Sequence, residues 1–420
     1  RALDNIQQHL ANEGVLILFP SGEVSRLRPD GIRDGKWHGG FLRFAMNAKA
    51  PILPIYIDGR NSAMFYGASM IYKPLATMLL VQEMFNQKHK NIAMRIGEQI
   101  PYDSFAHLAL ETQAKVKLFK KHLYRLAKDK GPLFKTQKAI AHPEDRILLK
   151  KAVEACPLLG ETSDGKQIYL YQYQQSSPVL REIGRLREIA FRAVGEGSGQ
   201  RRDIDQYDSY YEQLILWDKD DLEIVGAYRF ANTAKVMAEK GLAGLYTASL
   251  FQFNPQMTPY LDQGLELGRS FVQPRYWGKR SLDYLWYGIG AYLKQNPEIR
   301  YLFGGVSLSN SYPKAARDLM VYFYSLYFRC PEQSAVPNIP YELPMDTLSQ
   351  LQQHFTGGVS VHQSTVAVNA HYGGRLLFGH PGQDGYLAGY FFVFGNVAAY
   401  TGKILYLSGC VFFGNNNLRQ

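Results

Sequence analysis

With 420 residues, 46% of them hydrophobic, the chain can build two or three domains with substantial cores. Its 47 Lys and Arg against 37 Asp and Glu leave a formal charge of +10, which points to an anionic partner: nucleic acid, an anionic membrane surface or an acidic protein. No zinc-finger or RNA-binding signature and no block of pure Lys/Arg is present, so a nucleic-acid partner is not expected. Cys156, Cys330 and Cys410 lie far apart, form no metal or redox motif and favour a reducing compartment. The chain begins at Arg1 without a methionine or signal peptide, which reads as a fragment whose beginning is missing.

Residues 1–112 read as the first unit. A helical start (Leu3, Ile6, Leu10) leads to a strand-like run over 14–19 that ends at Pro20-Ser21-Gly22-Glu23. Further strands are expected at 52–57 and 91–97, and strands alternating with helical stretches predict an α/β layer fold. Phe19-Pro20-Ser21-Gly22-Glu23-Val24-Ser25-Arg26 resembles the F-P-E-G-T-R-S block of the glycerolipid acyltransferases that convert lysophosphatidic acid to phosphatidic acid. Ile52-Leu53-Pro54-Ile55 resembles their V-P-V block. The resemblance implies an O-acyltransferase acceptor block of Phe19, Pro20, Gly22, Glu23 and Arg26, with the arginine meeting phosphate. Ser21 replaces that family's glutamate. No histidine here has an aspartate five residues on, so the family's H-x-x-x-x-D dyad is absent, and without that general base this unit is not expected to catalyse.

Residues 113–155 read as a basic linker. Nine Lys and Arg between 115 and 138 face only Asp129, while Val116, Phe119, Leu123 and Leu126 recur at helical spacing. Such a helix can lie on an anionic bilayer, or pack as a solvated face on its own domain.

Residues 156–335 read as the second unit. Ile168-Tyr169-Leu170-Tyr171 predicts a strand, Leu180 to Ala193 a helix, and 214–217 with 224–230 a hairpin across Asp218–Asp221. From Gly264 the order is a strand through Val272, a basic glycine-containing loop at Gln273-Pro274-Arg275-Tyr276-Trp277-Gly278-Lys279-Arg280, a helix capped by Ser281, and a strand over 301–306. Leu282, Leu285, Trp286, Ile289 and Leu293 give that helix one apolar face. A loop whose amides point at a helix start can cradle a phosphate.

The order strand, R-x-x-G-x-R, helix, strand resembles the donor-binding core of the GNAT acyltransferases. Arg187 with Phe191, Asp205-Gln206-Tyr207-Asp208, Arg229 and the Glu266/Arg269 pair resemble the ornithine N-acyltransferases of bacterial ornithine-lipid synthesis, a branch also known as haemolysin-like, and the related acyl-homoserine-lactone synthases. A glycerolipid-acyltransferase unit joined to this one resembles the two-domain ornithine-lipid synthases. The implied fold is α/β: a partial glycerolipid-acyltransferase domain, then a GNAT domain.

The implied activity is transfer of a fatty acyl group to the α-amine of ornithine or a similar amino acid. No bound cofactor is expected, and acyl carrier protein or acyl-CoA serves as co-substrate. Acyl carrier protein is favoured, because such proteins are acidic and a basic surface steers them. Arg275, Gly278, Lys279 and Arg280 would hold the phosphopantetheine arm. A free α-amine titrates near 8, so its neutral form costs only about 1.4 kcal/mol at pH 7 and one carboxylate suffices as base. Glu266 is the candidate, with Arg269 beside it; pairing with Arg269 or Arg229 inside the fold would account for it equally. Asp205 and Asp208 would hold the ornithine ammonium, although a plain capping turn has the same residues, and Arg229 would receive the acceptor carboxylate. Should Glu266 prove sealed in the interior with no channel leading to the turn at Gly278, the transferase assignment fails. The competing readings are a lysophospholipid O-acyltransferase and a non-catalytic membrane-surface protein. The expected location is cytoplasmic, peripheral to the inner membrane.

In 336–420 the composition changes. From Gly357 charged residues nearly vanish, and glycine–aromatic alternation suggests strands. The uncharged run from Gly385 to Gly402 nears the length of a membrane span, but its glycines and Asn396 make a helix poor there. His354, His362, His371 and His380 lack metal-ligand spacing, and no metal site is expected.

Overall fold

The apolar runs of the second half are continuous rather than alternating, which suits strands covered on both faces. In the computed structural model those strands form the sheet of one compact unit, Ile140–Gln420, and Arg1–Ala139 forms another. Described are residues 2–12, 14–29, 31–71, 73–306, 313–319 and 335–338, together with four short strands nearer the end of the chain. Most of the tail, including nearly all of 385–402 and its histidines, lies outside the described residues.

Unit 1 contains α1 (Ala2–Ala11), the hairpin β1 (Arg26–Arg28) and β2 (Gly31–Arg33), α2 (Gly40–Asn47), β3 (Ile55–Asp58), α3 (Ala63–Ile71), α4 (Lys73–Asn86), β4 (Ala93–Ile96), α5 (Asp103–Ala106) and α6 (Thr112–Leu126). β3 and β4 pair antiparallel, as expected of two strands there, but the run 14–19 forms no strand: Val15, Ile17 and Phe19 are exposed. The basic stretch is not a linker. α6 turns Val116 and Phe119 into a core with Trp37, Leu42, Ile100, Phe105 and Phe134. Its Lys115 Nζ donates to the Ala106 carbonyl at 2.9 Å, and Lys120 Nζ to the Asp34 and Gly35 carbonyls at 3.0 and 2.7 Å. The apolar stripe of this helix is therefore spent inside its own unit.

Unit 2 opens with α7 (Arg146–Glu154), capped by Asp145, whose Oδ1 accepts from the amides of Ile147 and Leu148. Then follow β5 (Leu158–Glu161), β6 (Gln167–Tyr171), α8 (Pro178–Ala193), β7 (Glu212–Asp218), β8 (Glu223–Asn232), α9 (Thr233–Lys240), β9 (Phe251–Phe253), α10 (Thr258–Leu261), β10 (Gly264–Val272), α11 (Ser281–Gln295) and β11 (Tyr301–Val306). β12 (Ala335–Pro337) pairs with β9. The tail supplies β13 (Arg375–Phe378), β14 (Tyr390–Val393), β15 (Leu405–Leu407) and β16 (Cys410–Phe412).

The main sheet runs β13-β14-β11-β10-β8-β7-β6-β5. β10 and β11 are parallel, joined across α11, and the other described pairs of this sheet are antiparallel. Period-2 alternation divides its residues between two cores. Ile168, Leu170, Leu214 and Leu216 pack under Leu285, Trp286 and Ile289 of α11, while Tyr169, Tyr171, Ile215 and Trp217 pack under Val179, Leu180 and Ile183 of α8. Burying a Leu or Ile side chain contributes about 1.5–3 kcal/mol, so these two layers hold the sheet between its helices. Ser281 is the first residue of α11 rather than its cap: Arg280 holds the cap position and no side chain bonds the free amides.

Candidate active site

The sheet forks at its one described parallel pair. Gly264 to Leu267 of β10 lie in register with Tyr301 to Gly304 of β11, and the pairing ends at Leu267 and Gly304. Gly304 marks the fork: a Cβ there would sit 2.0 Å from the Leu267 carbonyl oxygen, so only glycine lets the strands meet so closely. Toward β8 the register of β10 shifts between Gly268 and Phe271, and Arg269 takes a left-handed φ of 51°. A bulge thus breaks the β8 ladder just where the β11 ladder ends. Arg269 and Ser270 therefore stand in neither ladder.

Under the bulge lies an ion network of three arginines and three aspartates. Arg187 of α8 is fully buried, with Nη1 donating to both Asp208 oxygens at 3.2 Å and Nη2 to Gln213 Oε1 at 3.2 Å. Asp205 and Asp208 cap the 3₁₀ turn Gln206–Ser209: the Asp205 amide donates to Asp208 Oδ2 at 2.8 Å, and Asp205 Oδ1 accepts from the Tyr207 amide at 2.9 Å. Arg229 of β8 places Nη1 2.6 Å from Asp205 Oδ1 and 3.2 Å from Asp208 Oδ1. Arg269 donates to Asp203 Oδ2 at 3.2 Å and Asp205 Oδ2 at 3.5 Å. Burial pushes the Asp208 carboxyl up, but Arg187 and Arg229 outweigh it and hold it below the carboxylate range. Burial would likewise lower Arg229, and Asp208 and Asp205 more than reverse that.

Arg229 is 1% exposed, yet among the described residues its Nε and Nη2 have no hydrogen-bond partner. Its guanidinium lies 5.7, 5.3 and 5.5 Å from the ring centroids of Tyr207, Tyr211 and Tyr246. Tyr246 also lies 5.6 Å from the guanidinium of Arg269. A planar cation with two open donors, deep in an aromatic cage, is suited to a carboxylate. The three tyrosines were not singled out from the sequence, because only folding brings positions 207, 211 and 246 around one arginine.

Glu266 is as buried as Arg229 and differs in that its oxygens are already bonded. Its Oε1 accepts from the Thr247 amide at 2.6 Å, and its Oε2 from the Tyr246 amide at 3.2 Å and from the Tyr211 hydroxyl. Burial pushes its carboxyl up against these bonds. It ties the segment before β9 to β10 and has no free face for an amine, so the base role is withdrawn, and the transferase reading no longer rests on it. Asp205 and Asp208 are taken by three arginines, so they offer no seat for an ornithine ammonium. Phe191 is half-buried and packs against the core under α8.

At the donor turn, Gly278 adopts a left-handed φ of 74°. Arg275 pairs with Asp221 and Glu223, and Arg280 lies 3.4 Å from Asp283 Oδ2, so neither arginine is held open for phosphate as expected. Lys279 has its Nζ 5.0 Å from the Tyr276 ring and, with the uncapped amides starting α11, forms what cradle the turn offers. In unit 1, Gly22 has φ 64°, Phe19 is exposed, Pro20 receives the His38 amide, and Glu23 lies 3.5 Å from Arg26 Nη2. Arg26 Nε and Nη1 are buried without a partner. Among the described residues no group of three His, Cys, Asp or Glu could hold a metal ion.

A forked sheet, a bulge at the fork and a glycine turn before the next helix define the second unit as a GNAT-type acyltransferase domain. Residues 186–287 match the acetyltransferase (GNAT) domain family, and residues 4–131 match a family described as acyltransferase. A glycine N(alpha)-acyltransferase from Phocaeicola vulgatus is 37% identical over 222 residues, 50% of this chain and 68% of that protein. Its counterpart from Bacteroides thetaiotaomicron is 39% identical over 214 residues, 48% of this chain and 64% of that one, so the chain spans about two thirds of these relatives. An L-ornithine N(alpha)-acyltransferase from Brucella abortus is 33% identical over 145 residues, 31% of this chain and 50% of that protein. The chain belongs to the family of bacterial amino-acid Nα-acyltransferases, with an acyltransferase domain ahead of the GNAT domain.

Proposed function

We propose that unit 2 transfers a fatty acyl group from a phosphopantetheine thioester to the α-amine of glycine, in membrane-lipid synthesis. The observation that carries this is Arg229, a buried guanidinium with two open donors beside the fork. The acceptor carboxylate would take those donors, which turns the α-amine toward the bulge. The thioester would lie in the fork with its carbonyl against the backbone at Gly268–Ser270, where donors can meet the oxyanion of the tetrahedral intermediate. Attack forms the amide bond and breaks the carbon–sulfur bond; the amine proton leaves to water and the thiolate departs. The neutral amine costs about 1.4 kcal/mol at pH 7, so no strong protein base is required.

Glycine is favoured over ornithine because the relatives of higher identity are named for glycine and the nearby carboxylates are already paired. Acyl carrier protein is the proposed donor, supported by the net charge of +10. The turn itself contributes less to that steering than its sequence suggests, since two of its cations are neutralised. Incubation with labelled glycine or ornithine and acyl-acyl carrier protein or acyl-CoA tests all three points. A lipid-soluble product from glycine and the carrier protein is expected; none with any pairing would remove the transferase reading. Hydroxyl acylation by unit 1 is not proposed, since the chain has no H-x-x-x-x-D.

A further inference from the structure

The hairpin of α3 and α4 in unit 1 carries an apolar face that its own unit does not bury. Inward, Phe65, Tyr66 and Ser69 of α3 are buried, and Leu79 and Leu80 of α4 pack against Phe65 and Tyr66. Outward, α3 presents Met64, Met70 and Ile71, and α4 presents Met78, Val81, Met84 and Phe85. Met64, Gly67, Met70 and Ile71 repeat the spacing of Met78, Val81, Met84 and Phe85, each set falling on one arc of its helix. Ile71 is 86% exposed and Met78 78%. A solvated helix places charge on such an arc.

The charges within and just past the hairpin are mostly cations. From Gly59 to Ile92 the sequence holds Arg60, Lys73, Lys88 and Lys90 and a single acid, Glu83. Glu83 is turned inward, its Oε2 accepting from the Ser62 amide at 2.7 Å and its Oε1 from the Ser62 hydroxyl at 2.6 Å. Lys88 and Lys90 are exposed just past the end of α4. The outward stripes are thus apolar, with Lys88 and Lys90 exposed at their border; at the other border Arg60 lies 3.8 Å from the exposed Asp58.

We infer that the outer face of α3 and α4 seats unit 1 on an anionic phospholipid bilayer. Stripes of Met, Ile, Val and Phe enter the acyl boundary while border lysines meet lipid phosphates. Flexible methionines suit a fluid partner. An acidic protein would find no cation within the stripes to pair with, and a second copy would bring the same lysines together. The basic helix α6, the sequence's own candidate for this role, has its apolar side in the core. The inference is independent of the N-acylation reading, since it concerns unit 1 and is read by binding alone.

Sedimentation of the full chain with vesicles of phosphatidylcholine, with or without phosphatidylglycerol, tests it. Binding is expected chiefly to the phosphatidylglycerol vesicles. The combined Met78→Ser, Val81→Ser and Phe85→Ser variant should lower partitioning about a hundredfold, given the apolar area removed from the contact. Lys117→Ala with Lys121→Ala on α6 should change it less than about tenfold, the effect of a lysine or two near the surface. A Phe85→Trp variant, which keeps the stripe apolar, should show added fluorescence that brominated acyl chains quench. Unaltered binding by the triple variant, or a tryptophan at 85 that the brominated lipid leaves unquenched, overturns the inference. So does a dimer in solution that the triple variant abolishes while no vesicle binding occurs, which would assign the face to a second copy.

Discussion

Arg229 and Glu266 look alike in the sequence, each a charge set among apolar residues of a strand, and the structure gives them opposite characters. Arg229 keeps two unsatisfied donors, whereas every described contact of Glu266 is already a hydrogen bond to its own chain. Arg229→Lys preserves the charge and loses the planar fork, so KM for glycine should rise about tenfold or more with a smaller change in KM for the acyl donor; steady-state kinetics in both substrates checks this. Glu266→Gln puts an NH₂ group among the donors of Tyr211, Tyr246 and Thr247. It should destabilise the unit by about 1–3 kcal/mol, with activity recovering as the assay is cooled. Full stability with abolished turnover would instead restore the base role.

Among the elements, β10 does most to place the site, because it ends one ladder and interrupts another within four residues. Gly304→Ala forces a methyl group onto the Leu267 carbonyl and should cost about 3 kcal/mol through strand displacement, visible as a lower Tm. The donor turn depends on backbone rather than charge. Gly278→Ala adds a Cβ at a left-handed position with open space around it, so the penalty is conformational, about 1 kcal/mol. A raised KM for the acyl donor with unchanged KM for glycine is expected, while Arg275→Ala should leave both nearly unchanged because its partners are Asp221 and Glu223.

For the molecule as a whole, the buried network sets opposing pH dependences. The folded pKa of Asp208 is lowered from 3.8, so its contribution is complete above 3.8 and is lost as pH falls through the folded value. That of Glu266 is raised from 4.5, so its contribution is complete below 4.5 and is lost as pH rises through the folded value. Glutamine does not titrate. The Tm deficit of Glu266→Gln should therefore be largest near pH 4.5 and shrink as pH rises, in a melting series of variant against wild type.

The order of strands and helices in unit 2, the hairpin across Asp218–Asp221 and the glycine turn before α11 were legible because local periodicity and turn chemistry act over a few residues. The division of the basic stretch between two units was not, nor was the loss of a strand at 14–19, since an apolar stripe does not say what will cover it. Which charges stay open was equally hidden: Arg275, Asp205 and Glu266 find their partners on elements tens of residues away. Residue type and spacing determined that this chain would have an α/β unit in which a strand, a basic glycine turn, a helix and a strand follow one another. Burial and pairing across the sheet decided which arginine is left to bind, because a charge removed from water must be satisfied by whatever the fold brings within about 3 Å.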